Sequence, residues 1–155
     1  MRPLSRIARG LALVALALAV VGAPAAEAQE LRLSGLGGEV LRDADLAQGT
    51  LIVVVWASWS PRGRNVAERV NAISQRWGSR SRVVTVNFQE DRQAVEAFLS
   101  AQPLRVPVFL DPDGAFAKRY ALTNLPGLLV MRDGEAAYRG KLPDDPDRLL
   151  GEIFG

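Results

Sequence analysis

The 155-residue chain contains no cysteine and no histidine, and Lys118 and Lys141 are its only lysines. Without cysteine there can be no disulfide, no thiolate nucleophile and no iron–sulfur ligation. Without histidine the usual general base near neutral pH and the commonest metal ligand are both missing. Long apolar runs are also scarce. Leu11 to Val21 is unbroken over 11 residues, and nothing later is long and apolar enough to span a bilayer, which takes about 20 residues.

That single run sits in a recognisable context. Three arginines (Arg2, Arg6, Arg9) precede it, and the small-residue stretch Gly22-Ala23-Pro24-Ala25-Ala26-Glu27-Ala28 follows it. A basic start, an apolar middle of this length and an A-x-A site have the pattern of a secretory signal peptide. Cleavage is expected after Ala28, with a cut after Ala25 as the alternative, giving a periplasmic or secreted protein. The competing reading, a retained membrane anchor, requires a longer run. Residues 1–28 are therefore assigned to the signal and residues 29–155 to one domain.

Loss of the signal removes three of 19 basic and one of 17 acidic side chains, leaving 16 of each. A neutral chain lacks the cation surplus that binding to phosphates requires, so no nucleic-acid partner is expected. The remaining 127 residues are enough to bury a substantial core without disulfide staples. No metal and no cofactor is expected, since scattered carboxylates are the only ligands on offer.

Within the mature region, Leu31-Arg32-Leu33 reads as a short strand ending in the flexible Ser34-Gly35-Leu36-Gly37-Gly38, and Asp43 to Ala47 as one helical turn. Leu51 to Trp56 is the continuous, β-branched run of a strand buried on both faces. Ser60 is the expected N-cap of the next helix, with Pro61 at its first position and Gly78 as its stop. Val66, Val70, Ile73 and Trp77 recur at helical spacing and give that helix one apolar face. Then come a strand over 82–88, a helix over 90–101 with Val95, Phe98 and Leu99 inward, and a strand over 106–110. A turn at 111–114 precedes a short helix over 115–120. Two strands flank Asp133-Gly134, a strong hairpin signal, and a last helix covers 146–154. The order β-α-β-α-β-α-β-β-α predicts an α/β fold, with a mixed sheet flanked by helices and an antiparallel hairpin at one edge.

The stretch Val55-Trp56-Ala57-Ser58-Trp59-Ser60-Pro61-Arg62-Gly63 and the segment Phe109 to Gly140 carry a resemblance. Together they resemble the thioredoxin-like superfamily, in particular exported thioredoxins of the TlpA/ResA type, whose members read "FWATWCPPC" at the first position. The resemblance implies that Ser60 and Gly63 stand where the two redox cysteines stand, so the CxxC is replaced by Ser-Pro-Arg-Gly. It also aligns Pro126 with the superfamily's cis-proline, beside which relatives hold substrate backbone, and suggests that Gly127, in place of a larger residue, widens that groove. A serine hydroxyl and a glycine cannot form a disulfide, so thiol–disulfide exchange by this chain alone is excluded.

Ser60 does not replace that chemistry with its own. A serine nucleophile needs an adjacent base, and neither lysine is placed near it by the sequence. Arg62 and Arg64 oppose the dipole of the helix they open. They are either solvated side chains or an anion site formed with free backbone N–H groups. Trp59 is either packing or an exposed anchor of the kind that dominates interfaces. The expectation is a redox-inactive, exported, thioredoxin-like protein. It would bind a protein or peptide through Trp59, Ser60, Pro61, Arg62, Arg64, Leu125 and Pro126. The alternative is an accessory factor that holds a substrate for another enzyme's thiols in a disulfide or cytochrome-maturation pathway.

Overall fold

The computed structural model describes residues 29–155, so the signal assignment and its cleavage site lie outside the described residues. Strands β3 (Thr50–Trp56), β4 (Arg82–Phe88), β5 (Val108–Asp111), β6 (Gly127–Arg132) and β7 (Glu135–Lys141) form a five-stranded sheet in the order β5-β4-β3-β6-β7. β3, β4 and β5 run parallel, while β6 and β7 are antiparallel to their neighbours. The α/β mixed sheet flanked by helices is the architecture expected from the alternating pattern. The Asp133-Gly134 turn joins β6 to β7, with both residues at positive φ, as a tight hairpin demands.

Alternation along β3 sends its side chains to two separate cores. Leu51, Val53 and Val55 join Val84, Val86, Phe109, Phe116 and Leu129 on one face. Ile52, Val54 and Trp56 pack on the other face against α2 (Val66–Trp77), α3 (Arg92–Ala101) and α5 (Pro146–Phe154). An apolar residue at every position is what a strand covered on both sides requires. Each fully buried Val, Leu or Ile contributes about 1.5–3 kcal/mol of transfer free energy. Among the described residues no helix is long and apolar enough to cross a membrane.

Three local expectations are corrected. The glycine-rich stretch after the first strand is a turn, because β1 (Arg32–Ser34) pairs with a second strand, β2 (Val40–Arg42), that the sequence reading missed. β2, which leads into the one-turn helix α1 (Asp43–Ala47), is three residues long with one buried side chain, Leu41, too little to show a period. This hairpin covers the β5 edge through a Gly35–Phe109 bridge and the bond from Leu36 N to Val108 O at 2.9 Å, which closes an otherwise open sheet edge.

The helix expected to run unbroken from Pro61 is split. Pro61–Gly63 form one 3-10 turn, and α2 begins only after Asn65, whose φ of −110° and ψ of 23° are not helical. Ser60 makes no side-chain cap bond. Its hydroxyl is used elsewhere, as described below. Third, Asp111 both ends β5 and opens the expected turn, which Gly114 N closes on Asp111 O at 3.2 Å, but its side chain is buried. It stays buried because both of its oxygens accept backbone N–H groups, from Phe116 and Ala117 at 3.1 Å each, at the start of α4 (Ala115–Arg119).

A candidate binding site at the end of the central strand

β3 and β4 end side by side, with Trp56 in register with Asn87. Just beyond, the Glu90 carboxylate accepts the Ser58 N–H at 2.8 Å, the Ser58 hydroxyl, and the Asn87 amide at 2.7 Å. This clamp ties the loop after β3 to the end of its neighbour. The loop then tightens: Ser60 N donates to Ala57 O at 3.2 Å, and Gly63 N to Ser60 O at 2.9 Å. With both ends held, Trp59 is pushed outward. It is 60% exposed, the one large exposed hydrophobic among the described residues.

Ser60 points the other way. It is buried, and its Oγ donates to the carbonyl of Leu125 at 3.2 Å. That bond joins the corner to the loop before β6, where the Leu125–Pro126 peptide is cis. Pro126 O in turn accepts Leu142 N at 2.9 Å. The hydroxyl is a strut between two loops 65 residues apart.

Two concavities open on either side of this strut. The larger, about 890 Å³, is lined by Trp59, Ser60, Pro61, Phe88, Leu122 and Leu125, with Arg62, Lys118 and Asp113 among its polar lining residues. The smaller, about 550 Å³, lies among Arg62, Asn65, Arg69, Leu125, Pro126, Lys141 and Asp144. Arg62 and Leu125 line both. Of the residues singled out from sequence, Trp59, Ser60, Pro61, Arg62 and Leu125 therefore come together, and Pro126 adjoins them. Arg64 is exposed but lines neither concavity. Gly127 does not widen the groove: it is buried at the start of β6, and a Cβ there would meet the Asn124 carbonyl oxygen at 3.0 Å.

Sequence reasoning missed Phe88, Leu122 and Lys118 as lining residues, and Glu90 as the clamp. Phe88 read only as the end of the strand over 82–88, Leu122 fell outside the predicted elements, and Glu90, read as the first residue of a helix, carries no mark of its tertiary partners. Among the described residues the Ser60 hydroxyl is hydrogen-bonded only to the Leu125 carbonyl, and no base lies within hydrogen-bonding distance of it. Among the described residues no group of three or more acidic side chains is placed to hold a metal ion.

Folds of this kind are known. A thiol:disulfide interchange protein DsbE from Chlorobium tepidum superimposes with a TM-score of 0.70 at 24% identity, covering 81% of this chain and 92% of that one. The exposed lipoprotein thioredoxin of Streptococcus pneumoniae gives 0.70 at 18% identity over 81% and 98%. StoA from Bacillus subtilis gives 0.67 at 22% over 81% and 96%. These likenesses define the class: a thioredoxin-like fold, related in architecture to thiol–disulfide proteins. The chain belongs to the Redoxin family, whose description matches residues 21–147. No curated protein matches it in sequence.

Proposed function

We propose that this Redoxin-family chain is a redox-inactive, exported binding protein that holds a protein or peptide partner at the corner formed by Trp59, Ser60, Pro61 and the Leu125–Pro126 loop. One observation carries the reading. A formed groove with an exposed tryptophan persists at this corner in a chain that has no cysteine. Exposed tryptophan is expensive to keep and is enriched at binding hot spots.

Ser60 and Gly63 stand, on this reading, at the positions of a lost dithiol. A Cβ built on Gly63 would lie 3.6 Å from the Ser60 Cβ, inside the range of about 3.5–4.5 Å that a disulfide spans. The spacing suits the linkage, while the residues cannot make it. Export is supported by the signal-like N-terminus and by the description of the pneumococcal structural relative as an exposed lipoprotein.

The test is capture of partners from the exported fraction with the purified mature chain, set beside Trp59→Ala. A defined partner should bind the wild type and be lost from the variant. Thermal stability should be unchanged, because Trp59 buries little. Capture of the same set by both proteins would move the site elsewhere. Insulin reduction by the chain alone should stay at zero, and any measurable rate would overturn the redox-inactive reading.

A further inference from the structure

The two concavities differ in character, and the difference points to the chemistry of the partner. Trp59, Phe88, Leu122 and Leu125 make much of the larger one apolar. The smaller has Arg62, Arg69 and Lys141 against a single acidic residue, Asp144. None of these three cations forms an ion pair among the described residues. Arg76, Arg82, Arg92, Arg119 and Arg148 are each paired with a carboxylate of this chain, and other cations such as Arg64 and Arg139 are not, so the distinguishing feature is the convergence of three unpaired cations on one concavity. Arg69 is also held in place, since its guanidinium donates to the carbonyl of Pro143. That neutral partner fixes the group and leaves its charge uncompensated. Asn65, which precedes α2 and makes no side-chain cap bond, lines the same concavity.

We infer that the partner segment is an extended peptide combining an apolar residue with a carboxylate. The apolar side chain lies in the groove beside Trp59, Phe88 and Leu122. The carboxylate lies across the Arg62–Leu125 divide, facing Arg62, Arg69 and Lys141. The inference rests on the binding reading above and specifies its ligand. Because Arg62 and Leu125 line both concavities, one chain can occupy the two without leaving the surface. Charge complementarity selects an acidic segment over a neutral or basic one, and the guanidinium forks suit carboxylate geometry.

Trp59 supplies the readout, since Trp56 and Trp77 are buried. Short synthetic peptides carrying Leu-Phe beside two Glu, two Gln or two Lys would be titrated while Trp59 emission is followed. The Glu peptide should bind on the order of 10-fold tighter than the Gln peptide, and tighter still than the Lys peptide. Raising salt from about 50 to 200 mM should shrink that gap, since these side chains are solvent-screened. The double variant Arg62→Glu, Lys141→Glu should reverse the order in favour of the Lys peptide. Both residues are exposed and neither side chain donates a hydrogen bond in the fold, so the variant should remain folded by circular dichroism. Equal binding of all three peptides would overturn the acidic assignment while leaving a peptide groove standing. No binding by any peptide would overturn the inference, and the Trp59-dependent capture then decides the parent reading separately. Binding of anionic vesicles in place of peptide, or concentration-dependent self-association lost in the charge-reversed variant, would assign the surface to a membrane or to a second copy, and also overturn it.

Discussion

The helix starts of this protein fall into two kinds. At α3, Asp91 accepts Ala94 N at 2.8 Å; at α5, Asp145 accepts Arg148 N at 3.2 Å; at α4, buried Asp111 takes two N–H groups at once. Each is an ordinary solution to the orphan donors that every helix start exposes. At the corner after β3 the solution is withheld. Neither Ser60 nor Asn65 makes a side-chain cap bond, although both are residue types that cap well. Ser60 spends its hydroxyl on Leu125 O instead. Local stability has been exchanged there for a link between two loops and for an open rim.

Restoring a dithiol should break this contrast most severely. The double variant Ser60→Cys, Gly63→Cys is expected to oxidise to an internal disulfide and to reduce insulin at a measurable rate, where the wild type and either single variant show none. Uncapped N–H groups at the corner lower the pKa of a thiol placed there below its free value of about 8.5. The new Cβ at position 63 lies 3.3 Å from Ala57 O and asks for a shift of a few tenths of an ångström. Thiol titration and an insulin turbidity assay decide the matter. A folded double variant whose thiols never join would show that Ser60 and Gly63 are not the dithiol positions.

The capped side of the comparison is tested at Asp111. Burial raises its carboxyl pKa above the usual carboxylate value, with Asp113 pushing the same way, against the lowering effect of the two backbone N–H groups. The folded state therefore keeps this proton at pH values where the unfolded chain has lost it. By linkage, that contribution to stability is present in acid and is lost as pH rises from the ordinary carboxylate range through the raised value. Asp111→Asn should flatten that limb in urea unfolding measured from about pH 4 to 7. It should also cost about 1–3 kcal/mol overall, because the amide nitrogen cannot accept the second N–H. An unchanged pH profile would show that the Asp111 carboxyl titrates alike in the folded and unfolded chains.

The smallest effects sharpen the comparison directly. Asp91→Ala removes a working cap and should cost about 1 kcal/mol. Asn65→Ala removes a side chain that caps nothing, and its midpoint in urea should lie close to that of the wild type. Equal losses at the two positions would mean that Asn65 does cap α2 in solution.

The alternating order of elements was legible in the sequence, because it depends on a local period. The apolar run of β3 announced a strand covered on both sides, and Val66, Val70, Ile73 and Trp77 announced the buried face of α2. What the linear pattern could not carry was the use made of polar groups. Ser60 had the type and place of an N-cap, but a carbonyl 65 residues away claimed its hydroxyl. Glu90 looked like the start of a helix and became the clamp that sets Trp59 outward. Asp111 was legible as a turn residue, but not as the side chain that takes two N–H groups at the start of α4. Arg62 and Arg64 looked alike, yet only Arg62 faces the two concavities. Hydrophobic burial is decided by period and composition, which a sequence displays; a hydrogen bond goes to whichever donor or acceptor the fold brings within about 3 Å, and only the tertiary structure decides which one that is.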